Sequence, residues 1–239
     1  LSGPRLIAYS APSLVTSVAA LPMALFVPAF YSGDLGVPLA SVGVAIALSR
    51  LLDVFTDPLI GSLSDRLRIP GGRRKPWMII GAPLFLFSLW KIFVPGPEVS
   101  AAYLLFWSAA LYLGFTLIDL PHKAWGAEIS TDYDERTRIT SWREAIATAG
   151  QVALLAGLVW LAADGIEAAS TQLHFIAIAV VFILPLLLAL CVFFVQERPP
   201  EYYVHPNRSI WTELAIVSRN PAFLRMLGCV LLFVSGVAV

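Results

Sequence analysis

Six stretches of the chain stay apolar for long enough to cross a bilayer, and polar residues gather between them. They cover roughly residues 6–31, 39–63, 77–94, 101–121, 145–163 and 175–195. A helix needs about 20 apolar residues to span a hydrocarbon core about 30 Å thick. A seventh run opens near Pro221 and continues to Val239. No run alternates apolar and polar positions as the strands of a membrane barrel do. Helices satisfy their own backbone groups inside lipid. The pattern therefore predicts an all-α, polytopic transmembrane bundle. Residues 1–195 are expected to form a six-helix bundle. Residues 196–220 read as a polar, proline-containing cytoplasmic linker between two halves. Residues 221–239 read as the start of a second half that the sequence does not complete.

Composition agrees with lipid as part of the solvent. Apolar residues make up 58% of the chain and charged residues 13%, against about a quarter charged in a soluble domain. The net charge is zero, which gives no reason to expect nucleic acid as a partner. Cys191 and Cys229 both lie in apolar runs and read as packing residues rather than a disulfide.

Charge sorts the connecting loops. Those after the first, third and fifth runs carry no Lys or Arg, whereas the others are basic, with Arg66, Arg68, Arg73, Arg74 and Lys75 in the first of them. By the positive-inside rule, the amino terminus and the basic loops are expected in the cytoplasm of a cell whose inner or plasma membrane holds the chain. Lys91 is the exception and can snorkel to the outer interface.

Ionisable groups inside a span are costly and point to function. The second run carries Arg50, Asp53 and Asp57 at i,i+3 and i,i+4 spacing, so all three share one helix face. Two carboxylates a turn apart repel each other unless a cation lies between them or one is protonated. Hard oxygen ligands suit a sodium-like ion, and a proton would serve equally. An Arg50–Asp53 ion pair that only pins helix packing is the alternative. Asp119 lies near the inner end of the fourth run, followed by Pro121, His122 and Lys123; the last two are expected at the membrane interface. Arg143 and Glu144 are expected to begin the fifth helix. Three prolines, at 12, 22 and 28, suit a first helix that lines a pathway, or one with a static kink.

Three motifs carry a family resemblance. Gly61-Ser-Leu-Ser-Asp65-Arg66, followed by Gly72-Arg73-Arg74-Lys75, resembles the loop between helices two and three of the major facilitators, with Arg68-Ile-Pro-Gly inserted. Asp53-Val-Phe-Thr-Asp57-Pro58, together with Arg73-Arg-Lys-Pro-Trp77, resembles the glycoside–pentoside–hexuronide:cation symporters, the melibiose permease family. Asp119-Leu-Pro121, Asp132-Tyr-Asp-Glu-Arg136-Thr and Trp142-Arg143 are similar to that family's fourth-to-fifth helix region.

The resemblance implies a six-helix half of a major facilitator fold plus a partial seventh helix. It implies that Asp53 and Asp57 bind a coupling sodium, lithium or proton. Thr56 between them, and Ser17 on the first helix, are expected to complete that site. Asp119 and Arg143 are expected to hold the solute, with Tyr9 and Trp125 beside them. Asp65, Arg66, Arg73 and Arg74 are expected to form a cytoplasmic gate. Two departures stand out. Ser17, with Thr16 beside it, occupies the place of a helix-one acid, and residues 6–31 contain no acid at all. Lys123 stands where an aromatic is expected four residues after Asp119.

The expected function is sodium- or proton-coupled transport of a small solute, a glycoside or related sugar, by alternating access. A lysolipid or other amphiphile is a second candidate, because the pocket departs from the galactoside pattern. A non-transporting membrane subunit or assembly factor built on a facilitator half is a third. No nucleophile–base pair, metal-ligand spacing or phosphate loop suggests an enzyme, and no cofactor is expected beyond the coupling ion. The partners expected are the solute, the bilayer, and the second half of the same chain or a second copy.

Overall fold

The computed structural model of the chain describes residues 1–67, 71–165 and 168–197, and, beyond these, 219–221, 224, 225, 228 and 229. Leu1–Pro199 forms one compact unit and Pro200–Val239 another. Most of the expected linker and seventh span lie outside the described residues, as do 68–70 of the inserted loop.

The first unit holds six helices of membrane-crossing length: α1 (Gly3–Asp34), α2 (Leu39–Arg66), α3 (Lys75–Phe93), α4 (Ala101–Ile129), α5 (Tyr133–Ala163) and α6 (Ala169–Phe194). No strand occurs among the described residues. The chain is thus a multi-pass helical bundle.

Several helices run beyond their apolar cores, and their caps explain why. The Ser100 hydroxyl accepts a hydrogen bond from the Tyr103 amide at 3.1 Å and opens α4. The Asp132 carboxylate accepts one from the Glu135 amide at 2.8 Å and opens α5. Asp134 and Glu135 in that first turn complement the positive end of the helix. Helix α5 therefore begins at Tyr133, and Arg143 lies well inside it rather than at its start. Helix α4 continues through Pro121 to Ile129, which carries His122, Lys123 and Trp125 as helical residues.

The prolines of α1 leave visible marks. Pro22 lacks the amide that would bond to Val18, and the regular helix pauses at Ala19 before resuming at Ala20. After Pro28 the helix widens into a π-turn over Phe30–Asp34, with the Ser32 hydroxyl donating to the Pro28 carbonyl at 2.7 Å.

Helix α4 packs against α2 and α3, while α1 packs against α5 and α6 and also touches α4. Close approach depends on small residues, as is usual between helices in lipid. A Cβ at Gly114 of α4 would fall 2.6 Å from the Phe85 backbone nitrogen of α3. Large apolar side chains such as Phe55, Val159 and Phe182 remain exposed on the outer faces, as a bundle solvated by lipid or by further helices allows. Cys191 is buried in the core, whereas Cys229 is exposed, so packing accounts for Cys191 alone.

Candidate functional site

Helices α1, α4 and α5 line an open polar cavity of about 200 Å³. Ser17 comes from α1, Asp119 and Lys123 from α4, and Arg143, Glu144 and Gln151 from α5. Ser17 donates to the Ala147 carbonyl at 2.8 Å and to the Leu14 carbonyl at 3.1 Å, joining α1 to α5 at the cavity wall. The acids and cations pair within their own helices. Lys123 reaches Asp119 at 2.6 Å across one helical turn, and Arg143 reaches Glu144 at 2.5 Å. The first pair is half open to solvent on its lysine side, with Lys123 50% and Asp119 17% exposed. Exposed i,i+4 pairs contribute only about 0.3–0.5 kcal/mol, so Lys123 is loosely held.

Tyr9 and Trp125 do not line this cavity. Both are buried, and their rings meet edge to face at 5.8 Å. The Tyr9 hydroxyl donates to the His122 carbonyl at 2.7 Å. His122 is not interfacial as expected: it is buried, with Nε2 2.8 Å from the Tyr9 carbonyl oxygen. The continuation of α4 past Pro121 turns it inward. These residues form the packed layer that fixes α1 against α4.

The α2 acids form a second cluster, outside the cavity lining. The Thr116 hydroxyl of α4 donates to Asp57 at 2.8 Å. One turn earlier on α4, the Tyr112 hydroxyl accepts from Arg50 Nε at 3.3 Å, and the guanidinium lies 5.4 Å from the ring centre. Arg50 therefore turns to Tyr112, and no ion pair with Asp53 is formed. Asp53 and Asp57 are both partly buried. The Thr56 hydroxyl, between them in sequence, is buried without a hydrogen-bond partner.

Where α2 gives way to α3, Arg74 is buried among acceptors. It donates to Asp65 at 2.5 Å, to Glu128 at 2.6 Å and to the Ser64 hydroxyl at 2.8 Å. Burial works against its charge, but the hydrogen bonds and charge of Glu128, with those of Asp65, outweigh it and hold the guanidinium above its ordinary pKa. Arg73 also pairs with Glu128. Arg66 is exposed at the last turn of α2. Just past α6, the Glu197 carboxylate accepts three backbone amides at the start of α3: Arg73 at 2.7 Å, Arg74 at 3.1 Å and Lys75 at 2.7 Å. A helix amino terminus is a ready anion site. Gly72, at φ +134°, lets the carboxylate in, since a Cβ there would sit 2.8 Å from its oxygen.

Sequence reasoning singled out Asp65, Arg73 and Arg74 but not Glu128 and Glu197, which accept from the two arginines, nor Thr116 beside Asp57. Only Lys123 carried a local signal, its i,i+4 spacing from Asp119.

A family profile described as MFS/sugar transport protein matches residues 8–239. The inner membrane symporter YicJ of Escherichia coli is 30% identical over 73% of this chain and 39% of its own length. The putative glycoside/cation symporter YagG of the same organism is 28% identical over 80% of this chain and 42% of its own. The mouse sodium-dependent lysophosphatidylcholine symporter 1 is 34% identical over 46% of this chain and 22% of its own. The chain thus spans less than half the length of these relatives.

Proposed function

The chain belongs to the MFS/sugar transport family, among its glycoside–pentoside–hexuronide:cation symporters, and from this premise we propose that it forms the amino-terminal half of a carrier coupling a sodium ion or proton to uptake of a glycoside or related sugar. The observation that carries this reading is the polar cavity in which Ser17, Asp119 and Arg143 converge from three separate helices. Facilitators bind solute near the bilayer midplane between two halves that rock about it, and a polar pocket walled by α1, α4 and α5 suits that role. A second half of the same chain, or a second copy, completes the site, and the amino terminus faces the cytoplasm.

Asp53 and Asp57 take the coupling ion, with Thr56 as a further oxygen ligand. The ion relieves the repulsion between the two carboxylates. The Asp57–Thr116 hydrogen bond relays its arrival to α4, three residues from Asp119. Ion and solute then strengthen each other's binding reciprocally, by a coupling typically of about 1–3 kcal/mol. Asp65, Arg73 and Arg74 close the cytoplasmic side as a gate.

An amphiphile such as a lysophospholipid is the second reading. An apolar cavity of about 280 Å³ between α1, α5 and α6 would suit an acyl chain, and the mouse relative is named for such a substrate.

Uptake into vesicles, with and without a sodium or proton gradient, tests both readings. A glycoside should accumulate under one of the gradients, and Asp57→Asn should abolish the ion stimulation while the protein stays folded. Gradient-driven uptake that survives Asp57→Asn overturns the ion-site assignment. Accumulation of lysophospholipid in place of every glycoside overturns the first reading of the solute.

A further inference from the structure

We infer that Tyr112 holds Arg50 off Asp53, so that Arg50 acts as a tethered competitor of the coupling ion and Tyr112 sets how strongly it competes. This rests on the ion-coupled reading above and adds a positioning residue that touches neither ion nor solute.

Helix α4 presents two hydroxyls to α2, one turn apart. Tyr112 takes the cation of the α2 set, accepting from Arg50 Nε at 3.3 Å with the guanidinium 5.4 Å from its ring centre. Thr116 takes an anion, donating to Asp57 at 2.8 Å. Asp53 lies between the two, three residues after Arg50 and four before Asp57. Among the described residues it forms neither an ion pair nor a hydrogen bond. The two hydroxyls of α4 thus engage the ends of the α2 set and leave its middle carboxylate open.

Arg50 and Asp53 share a helix face, and hydrogen bonds between ionised partners are about twice as strong as neutral ones. Asp53 is therefore the partner that spacing and charge dictate for Arg50. Tyr112 offsets this with two contacts at once, its hydroxyl and its ring face, so the balance between the two partners is narrow. Arg50 is exposed, and its guanidinium crosses from one to the other by side-chain rotation, with no movement of α2. An ion held by Asp53 and Asp57 repels the guanidinium toward Tyr112. When the ion leaves, the guanidinium divides between Asp53 and Tyr112, and the next ion has to displace it from the first. Apparent ion affinity scales with the share of carriers in which Asp53 is open, and Tyr112 keeps that share high.

The test follows the thermal unfolding midpoint of the full protein in detergent, since an ion that binds only the folded state raises it. Sodium chloride is titrated at fixed pH with choline chloride holding the ionic strength, and a pH series in choline chloride reads the proton. The part of either response that Asp53→Asn removes reports binding at the α2 acids. Tyr112→Leu should weaken that binding by about tenfold, the loss expected when the released Arg50 leaves Asp53 open in about a tenth of carriers. Tyr112→Phe keeps the ring and loses the hydroxyl, and should weaken it by less. In an Arg50→Gln background, Tyr112→Leu should change nothing. An ion affinity indifferent to both Tyr112 variants, or a loss that persists in the Arg50→Gln background, overturns the inference while the ion site stands. A midpoint that neither cation moves through Asp53 in the unmodified protein overturns the ion-coupled reading itself. Each variant's own cooperative melt shows that it is folded, and Tyr112→Phe carries the test if Tyr112→Leu is not.

Discussion

The Thr116 hydroxyl donates a 2.8 Å hydrogen bond to the Asp57 carboxylate, so the acid proposed to take the ion is held by the helix that carries Asp119. Thr116→Val keeps the shape and removes the donor. A hydrogen bond to a charged group is worth about 1.5–3 kcal/mol. The ion concentration for half-maximal uptake should therefore rise by about tenfold, with a smaller change in solute KM at saturating ion. Uptake measured across an ion titration decides it, and an unchanged ion dependence would show that Thr116 does not position Asp57.

Arg74 is buried at 3% exposure and donates to both Glu128 and Asp65, and Arg73 pairs with Glu128 as well. Removing one member of a buried ion pair typically costs about 3–5 kcal/mol, because its partner is left charged and unpaired. Arg74→Ala should lower the thermal unfolding midpoint in detergent clearly. Since Asp65 is 46% exposed and keeps some water, and Glu128 keeps Arg73, the loss should fall short of that range. Adding Arg73→Ala to Arg74→Ala should lower the midpoint further, because Glu128 then loses both cations. No further loss would place the cost elsewhere.

Gly114 faces the Phe85 backbone rather than a movable side chain. Gly114→Val has no room unless α3 and α4 separate. Overpacking of this kind costs about 1–3 kcal/mol or more. The variant should show reduced yield and a lower unfolding midpoint, whereas Gly157→Val, which meets nothing within 4 Å, should behave as the unmodified protein. Equal midpoints for the two variants would contradict the close approach of α3 and α4.

The six helices were legible because apolar runs of bilayer length admit few other structures. Their ends were not, since α4 and α5 extend into polar sequence where caps such as Asp132 and side-chain contacts, not hydropathy, set the boundary. That one error moved His122 from the interface to the core and Arg143 from a helix start to a cavity wall. The meeting of Asp119 and Arg143 could be expected only through family resemblance, because the two lie on different helices and no spacing connects them, while Ser17, expected beside Asp53 and Asp57, lines the same cavity as Asp119 and Arg143. Glu128, Glu197 and Thr116 escaped notice for the same reason. Their partners are distant in sequence, and an isolated Glu or Thr near a helix end looks like ordinary surface. Lys123 was different. Its distance from Asp119 was readable, but the pair became visible only once Pro121 proved not to stop the helix.

Glu197 fastens the chain leaving α6 to the first amides of α3, directly beside the arginines that hold Asp65 and Glu128. The polypeptide beyond residue 197 thus departs from a moored point. A load on the end of α6 would be felt at Arg73 and Arg74, with Glu197 as the knot that either transmits the force or slips.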